Sequence, residues 1–218
     1  MISAPEPPCP CPVCESTDIR RFMVIRDQTY FRCDTCLSTW LDPSDRLPVE
    51  EEYQCYLDHR NDPLDPGYRR FLSKLADPLV EKLSPGACGL DYGCGPSPAL
   101  SLMMEEQGFS ADRYDPFFHP DTTVLSKSYD FITCTEVIEH FHHPATEFKR
   151  LDRLLKPGGW LALMTCFQTE DSRFELWHYR REPTHVVFYR EETLRQVANQ
   201  RGWTCEIPRK DVALMGKK

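Results

Sequence analysis

Beyond Tyr68 the chain alternates short apolar runs with segments whose apolar residues recur at helical spacing. The runs are ACGLDYG (87–93), ADRYD (111–115), YDFITCT (129–135), GWLALMTC (159–166), TCEI (204–207) and DVALMG (211–216). Each is short and, in the longer cases, apolar at nearly every position, which predicts strands buried on both faces. Between them lie segments with the 3.6-residue period of an amphipathic helix. YRRFLSKLADPLVEKLSPG places Phe71, Leu72, Leu75, Leu79, Val80 and Leu83 on one stripe, with Pro78 as a candidate kink. SPALSLMMEEQG ends at Gly108, PATEFKRLDRLL shares Phe148, Leu151 and Leu155 on one side, and REETLRQVANQRG follows the same rule. Alternation of strands and helices predicts a doubly wound α/β sheet.

The first part of the chain has a different character. CPVC sets Cys11 and Cys14 as one C-x2-C pair, and CDTC sets Cys33 and Cys36 as a second. Each pair is suited to a knuckle turn that aims two thiolates at one point, and this inter-pair spacing is that of tetrahedral zinc sites. Four protein ligands leave no open position, so the expected metal is a structural Zn²⁺. IRRFMVIRDQTYFRC between the pairs alternates well enough for two short strands, as in a zinc ribbon. Cys9 lies close to the first pair but would form a less common knuckle. A segment of this size cannot bury enough apolar surface to hold itself together, which gives a metal its role. The expected organisation is a ribbon-like segment over residues 1–41, a Pro- and acid-rich connector over 42–66 with room for one short helix, and the α/β domain over 67–218.

Composition narrows the partners. The formal net charge is -8 over 218 residues, and no concentrated Lys/Arg run is present, so nucleic acid is an unfavoured partner. No apolar segment approaches the roughly 20 residues of a membrane span. The opening MISAPEPPCPCPVC has neither the charged nor the apolar region of a secretory signal, so a cytoplasmic location is expected, where cysteines ligate metals or pack as small hydrophobes.

The chemistry concentrates at three places after the first strand. LDYGCGPSP puts Gly93 and Gly95 in a turn at the strand's carboxyl end, where ligands bind in such sheets. Asp91 sits at the end of the first strand and Asp115 at the end of the second. EVIEHFHH then follows the strand YDFITCT. The ordered set LDYGCGPSP, RYDP, YDFITCTEVIEHF and LLKPGGWLAL resembles class I S-adenosylmethionine-dependent methyltransferases, over about Tyr68 to the C-terminus. A nicotinamide-binding domain would share the Gly95 to Asp115 spacing, but CTEVIEHF and KPGG favour methyl transfer. The resemblance implies a seven-stranded sheet with its last strand antiparallel, S-adenosylmethionine as cofactor, and a methyl acceptor beside it. Carried over by position, Asp91, Gly93 and Gly95 line the methionine moiety, Asp115 binds the ribose, and Tyr92 and Pro116 flank the nucleoside. Ser97, between Pro96 and Pro98, stands where many members have a third glycine.

On a helical turn, Glu136, Glu139 and His140 would share a face at i, i+3 and i+4. His185 in REPTHVVFY is a candidate fourth ligand. Two carboxylates and two imidazoles suit a divalent cation. The pattern is similar to the E-x-x-E-H motif of metal-dependent methyltransferases such as the small-RNA 2′-O-methyltransferases and the ubiquinone-pathway O-methyltransferases. A metal-free site with His140 or His185 as general base fits the same residues, and Glu136, His140 and His185 are the candidate catalytic groups. His142 and His143 read as solvated loop residues. Trp177, Tyr179 and Phe188 are candidates either for an aromatic wall over the acceptor or for packing a lid on the core. The leading expectation is O-methylation of a small-molecule hydroxyl. The alternatives are an RNA or protein methyltransferase whose ribbon holds the macromolecule, and a non-catalytic ribbon adaptor.

Overall fold

The computed structural model describes residues 10–57 and 61–218, and Cys9 lies outside the described residues. The aromatic and β-branched segment between the cysteine pairs forms a hairpin. Its strands β1 (Ile19–Ile25) and β2 (Gln28–Cys33) are antiparallel, and β3 (Thr39–Leu41) continues the sheet beyond β2. The connector carries helix α1 (Val49–Leu57), and α2 (Pro66–Val80) follows. Asp65 caps α2 by accepting from the Tyr68 N–H at 2.6 Å, with Pro66 in the first turn where no amide hydrogen is needed. Pro78 stands in the last turn of α2.

The rest alternates as its pattern predicts, with one short strand, β8, that the pattern did not mark: β4 (Cys88–Tyr92), α3 (Ala99–Glu106), β5 (Ser110–Tyr114), β6 (Tyr129–Thr135), α4 (Pro144–Leu154), β7 (Leu155–Met164), β8 (Val187–Phe188), α5 (Glu191–Asn199), β9 (Thr204–Arg209) and β10 (Val212–Gly216). The main sheet runs β5-β4-β6-β7-β10-β9. Strands β4 to β7 are mutually parallel, and β10 runs antiparallel to both β7 and β9. The sheet has six strands among the described residues, not the seven that the family resemblance implies. Between β5 and β6 the chain holds only a short helical turn, Thr122–Ser126, capped by Asp121. Its DPFFHPDTT approach has two prolines and no alternating apolar run, so nothing there favours a ladder.

Successive side chains point to opposite sides, and helices cover both, so the inner strands β4, β6, β7 and β10 are buried on two faces while the edge strands β5 and β9 stay partly exposed. Leu161 and Leu163 of β7 face the layer of α4 and α5, with Phe148, Leu151, Leu194 and Val197. Ala162 and Met164 face the other layer, with Leu72, Leu75, Leu79, Leu100 and Met104 of α2 and α3. Strand β10 splits in the same way, Ala213 and Met215 against Val212 and Leu214. A fully buried leucine of this kind stabilises the fold by about 1.5–3 kcal/mol.

The ribbon strands do not stand apart. β3 pairs antiparallel with β8 through Thr39–Phe188 and Trp40–Val187, making a second sheet ordered β1-β2-β3-β8. Phe31 and Trp40 belong to the same apolar cluster as Phe148 and Leu194. No helix among the described residues is long and apolar enough to cross a membrane.

Candidate active site

Strand β4 delivers its end into a tight loop. Gly93 has φ +78°, and a Cβ there would lie 2.5 Å from the Val137 side chain, so both the backbone and the space require glycine. The N–H groups of Gly93 and Cys94 both donate to Tyr114 O, at 2.7 and 3.2 Å. Gly95, at φ +65°, donates its N–H to Asp115 Oδ2 at 3.0 Å. Asp115 Oδ1 accepts from the N–H groups of Phe117 and Phe118 at 2.9 and 3.0 Å. Asp115 is therefore a clamp between the glycine loop and the loop after β5. A carboxylate has about four lone-pair sites, so one remains, on Oδ2.

Asp91 is buried and both of its oxygens are taken: Ser101 Oγ donates to one and Thr133 Oγ1 to the other, each at 2.8 Å. Its burial raises its pKa, against the pull of those hydroxyl bonds. Tyr92 donates its hydroxyl to Glu147 Oε2 at 2.5 Å and accepts from Arg150 at 2.8 Å. All six residues expected at the cofactor, Asp91, Tyr92, Gly93, Gly95, Asp115 and Pro116, line one cavity of about 800 Å³.

The same cavity is lined by Glu136, His140 and His185. Ligand-capable atoms of Glu139, His140 and His185 lie within 4.8 Å of one another. The two rings meet edge-on, with centroids 4.7 Å apart. His140 Nδ1 lies 3.0 Å from Thr184 O, and His185 Nδ1 lies 2.7 Å from Tyr179 O. A carbonyl only accepts, so each Nδ1 carries the hydrogen, and Nε2 is the lone-pair atom of the neutral ring. Carbonyl-oriented imidazoles of this kind are typical of metal-ligating histidines. Glu139 is fully buried; Tyr179 donates its hydroxyl to Oε1, while Oε2 is buried without a hydrogen-bond partner. An orphaned carboxylate oxygen in the interior is costly, and a cation is one way to satisfy it.

Glu136 is not part of that group. It has φ +54°, and the single helical turn begins only at Ile138, covering Ile138–His140. The expected i, i+3, i+4 face therefore never forms. Glu136 lines the cavity beside the trio, and burial, followed by the charge of Glu139, raises its carboxyl to about 9. Burial likewise raises Glu139 to about 7. The aromatic candidates also divide. Tyr179 lines the cavity, whereas Trp177 and Phe188 are not among its lining residues and pack on Phe174, Trp177 backing the Tyr179 ring at 5.3 Å. His142 and His143 border the cavity; His143 is exposed, and His142 Nε2 lies 3.5 Å from Glu52.

Several residues of the wall were not anticipated. Glu52 and Tyr56 of α1 and Tyr68 of α2 line it, and the Tyr56 ring packs edge-on against His140 at 5.4 Å. The 49, 53, 56 spacing of Val49, Tyr53 and Tyr56 is a helical-face signal within the acid-rich connector.

The four cysteines converge as their spacing predicts. Their sulfurs are buried and lie within 4.8 Å of one another, with Cys11–Cys36 at 3.8 Å and Cys14–Cys33 at 3.6 Å. A tetrahedron with Zn–S bonds of about 2.3 Å has edges of about 3.8 Å, so the donor set fits that ion. The two knuckles are built alike. Glu15 donates its N–H to Cys11 O and Leu37 donates to Cys33 O, at 3.0 and 2.9 Å, and both residues have φ near +60°.

A family profile described as methyltransferase domain matches residues 64–206. The chain belongs to the methyltransferase family. Among curated relatives, the ubiquinone biosynthesis O-methyltransferase of Histophilus somni is 30% identical over 93 residues, which are 41% of this chain and 37% of that protein. The enzyme of the same name from Pseudomonas paraeruginosa is 31% identical over 77 residues, 35% of this chain and 33% of that one. These matches span well under half the length of the relatives. Among solved structures, the 1,6-didemethyltoxoflavin N1-methyltransferase of Burkholderia thailandensis, with 1,6-didemethyltoxoflavin and S-adenosylhomocysteine bound, shares the fold. Its TM-score is 0.52 at 15% identity, over 91% of this chain and 99% of that one. Magnesium protoporphyrin IX methyltransferase from Synechocystis PCC 6803, with S-adenosylmethionine bound, gives a TM-score of 0.50 at 13% identity, over 78% of this chain and 91% of that one. The family's fold is thus present, with the glycine loop at its expected place.

Proposed function

We propose that this methyltransferase moves a methyl group from S-adenosylmethionine to a hydroxyl of a small-molecule acceptor. Glu139, His140 and His185 would hold a divalent cation, and Cys11, Cys14, Cys33 and Cys36 would hold a structural zinc. The observation that carries the reading is the shared cavity: the glycine loop with Asp115, and the histidine pair with Glu136, line the same space. Its volume of about 800 Å³ lies within the usual range for a pocket that takes small molecules. The O-methyltransferase names of the curated relatives support a hydroxyl acceptor.

S-Adenosylmethionine, when bound, supplies an electrophilic methyl group on a sulfonium. A divalent cation, when bound, supplies Lewis-acid polarisation of an acceptor oxygen. The chain's own residues do the rest. Gly93 and Gly95 keep the backbone close to the cofactor, and Asp115 offers its remaining lone pair to a ribose hydroxyl. Tyr179 fixes one oxygen of Glu139 and leaves the other to a ligand. The carbonyls of Thr184 and Tyr179 hold the two imidazoles in the tautomer whose Nε2 accepts, either a cation or the proton of the acceptor hydroxyl.

Calorimetric titration with S-adenosylhomocysteine tests the cofactor, with one site per chain expected and no heat of binding as the contrary result. For the acceptor, a panel of hydroxylated and amine compounds is assayed for release of S-adenosylhomocysteine. Turnover restricted to amines would overturn the hydroxyl assignment.

A further inference from the structure

The ribbon reaches the histidine side of the cavity through backbone hydrogen bonds. Leu41 N–H donates to Val186 O at 2.9 Å, and Val186 N–H donates to Glu139 O at 2.9 Å. One row thus runs from β3 to the peptide of Glu139, and His185 is the neighbour of its central residue. The first knuckle holds the other end of the same segment. Pro12 O, between Cys11 and Cys14, accepts from the Ala145 N–H at 2.8 Å, at the start of α4. Cys14 O accepts from Gln200 Nε2 at 2.9 Å, just beyond α5. Tyr189 closes the frame by donating its hydroxyl to Ile138 O at 2.9 Å.

This matters because Glu139, His140 and His185 sit outside the main sheet, on one short turn and a loop. Such segments have no ladder of their own to hold their geometry, and a metal site tolerates displacement of only about 0.5 Å. The glycine loop is anchored elsewhere, by Tyr114 O and by Asp115.

We infer that the cysteine ribbon is a positioning element of the active site: its knuckles and β3 fix Glu139 relative to His185, and so set the trio's affinity for a divalent cation without setting cofactor affinity. The inference rests on the cation reading proposed above. It assigns the ribbon a partner within its own chain, in place of a grip on a macromolecule.

The test uses the full chain carrying zinc. Mn²⁺, a hard ion that competes poorly for thiolates, is titrated in, and free Mn²⁺ is read by its paramagnetic resonance signal. S-Adenosylhomocysteine affinity is measured in parallel by calorimetry. Two variants break the frame differently. Cys36→Ser removes a zinc ligand. Leu41→Pro keeps all four thiolates and removes the N–H that Val186 O accepts. Each should weaken Mn²⁺ binding by about tenfold or more, the usual loss when the groups orienting a metal ligand are disturbed, with S-adenosylhomocysteine affinity within about twofold of wild type. Wild-type Mn²⁺ affinity in a Cys36→Ser chain that has lost its zinc would overturn the inference. Equal loss of both affinities in both variants would also overturn it, because the ribbon would then support the whole fold. A wild-type chain that takes up zinc but no Mn²⁺ refutes the cation reading itself, and the positioning role falls with it.

Discussion

Replacing Asp115 by asparagine separates the loop-clamp role that the structure shows from the ribose-binding role proposed for the same carboxylate. Asp115 accepts three backbone N–H groups, from Gly95, Phe117 and Phe118, and retains one lone pair for a ligand. In the Asp115→Asn variant the amide oxygen would keep the Phe117 and Phe118 bonds, but the NH₂ group would then face the Gly95 N–H, donor to donor. One bond to a charged acceptor is lost, worth about 1.5–3 kcal/mol. For a chain of this length, 1 kcal/mol shifts the unfolding midpoint by about 2–4 °C, so the ligand-free variant should melt roughly 3–12 °C lower. On the proposed reading the ribose hydroxyl loses its acceptor as well, and S-adenosylhomocysteine affinity should fall by about tenfold to a hundredfold. Calorimetry and thermal unfolding measure the two effects independently. A lowered midpoint with unchanged affinity would make Asp115 a loop clamp alone. An unchanged midpoint would refute the bond count on which the argument rests.

Three further outcomes are expected. Gly93→Ala should destabilise the chain by about 1–3 kcal/mol, because the new Cβ overpacks Val137 at a positive φ, and should weaken S-adenosylhomocysteine binding; an unaltered denaturant midpoint counts against the first and an unaltered calorimetric affinity against the second. Protein purified without chelator should contain one zinc per chain, lost on Cys11→Ser, and a zinc-free preparation by elemental analysis would remove the ribbon metal. The third concerns pH. Burial raises Glu136 to about 9 and Glu139 to about 7, above the unfolded value of about 4.3, so the folded chain binds more protons than the unfolded one. Their contribution is full below about pH 4.3 and is lost as pH rises through 7 and 9. Glu136→Gln should therefore flatten the decline of metal-free stability between about pH 5 and 9 in urea titrations, and an equally steep decline would show that Glu136 is not the group responsible.

The amino-acid pattern by itself marked all six strands of the main sheet and its flanking helices: inner strands buried on both faces demand continuous apolar runs, the edge strands β5 and β9 are short segments set off by Gly and polar residues, and a packed helix demands a stripe. The seventh strand came from the family resemblance alone; the residues between β5 and β6 never carried its pattern. The cysteine cluster was equally legible, since a C-x2-C knuckle is a local turn and two of them at this spacing meet. That Asp91, Tyr92, Gly93, Gly95, Asp115 and Pro116 share one cavity was legible for the same reason: the glycine loop and the ends of β4 and β5 are placed by local turns and neighbouring parallel strands. The trio was not. Which of Glu136, Glu139, His140 and His185 converge depends on a positive φ at Glu136 and on a helical turn that starts two residues later than the i, i+3, i+4 pattern requires. The carbonyls of Thr184 and Tyr179 that orient the imidazoles have no side-chain identity to read. Nor could the pairing of Trp40 with Val187 be inferred, because a strand's edge records its own hydrogen-bonding capacity and not the distant segment that will use it. Local turns and periodicities are written residue by residue; the register between segments far apart in the chain is decided only when the whole core closes.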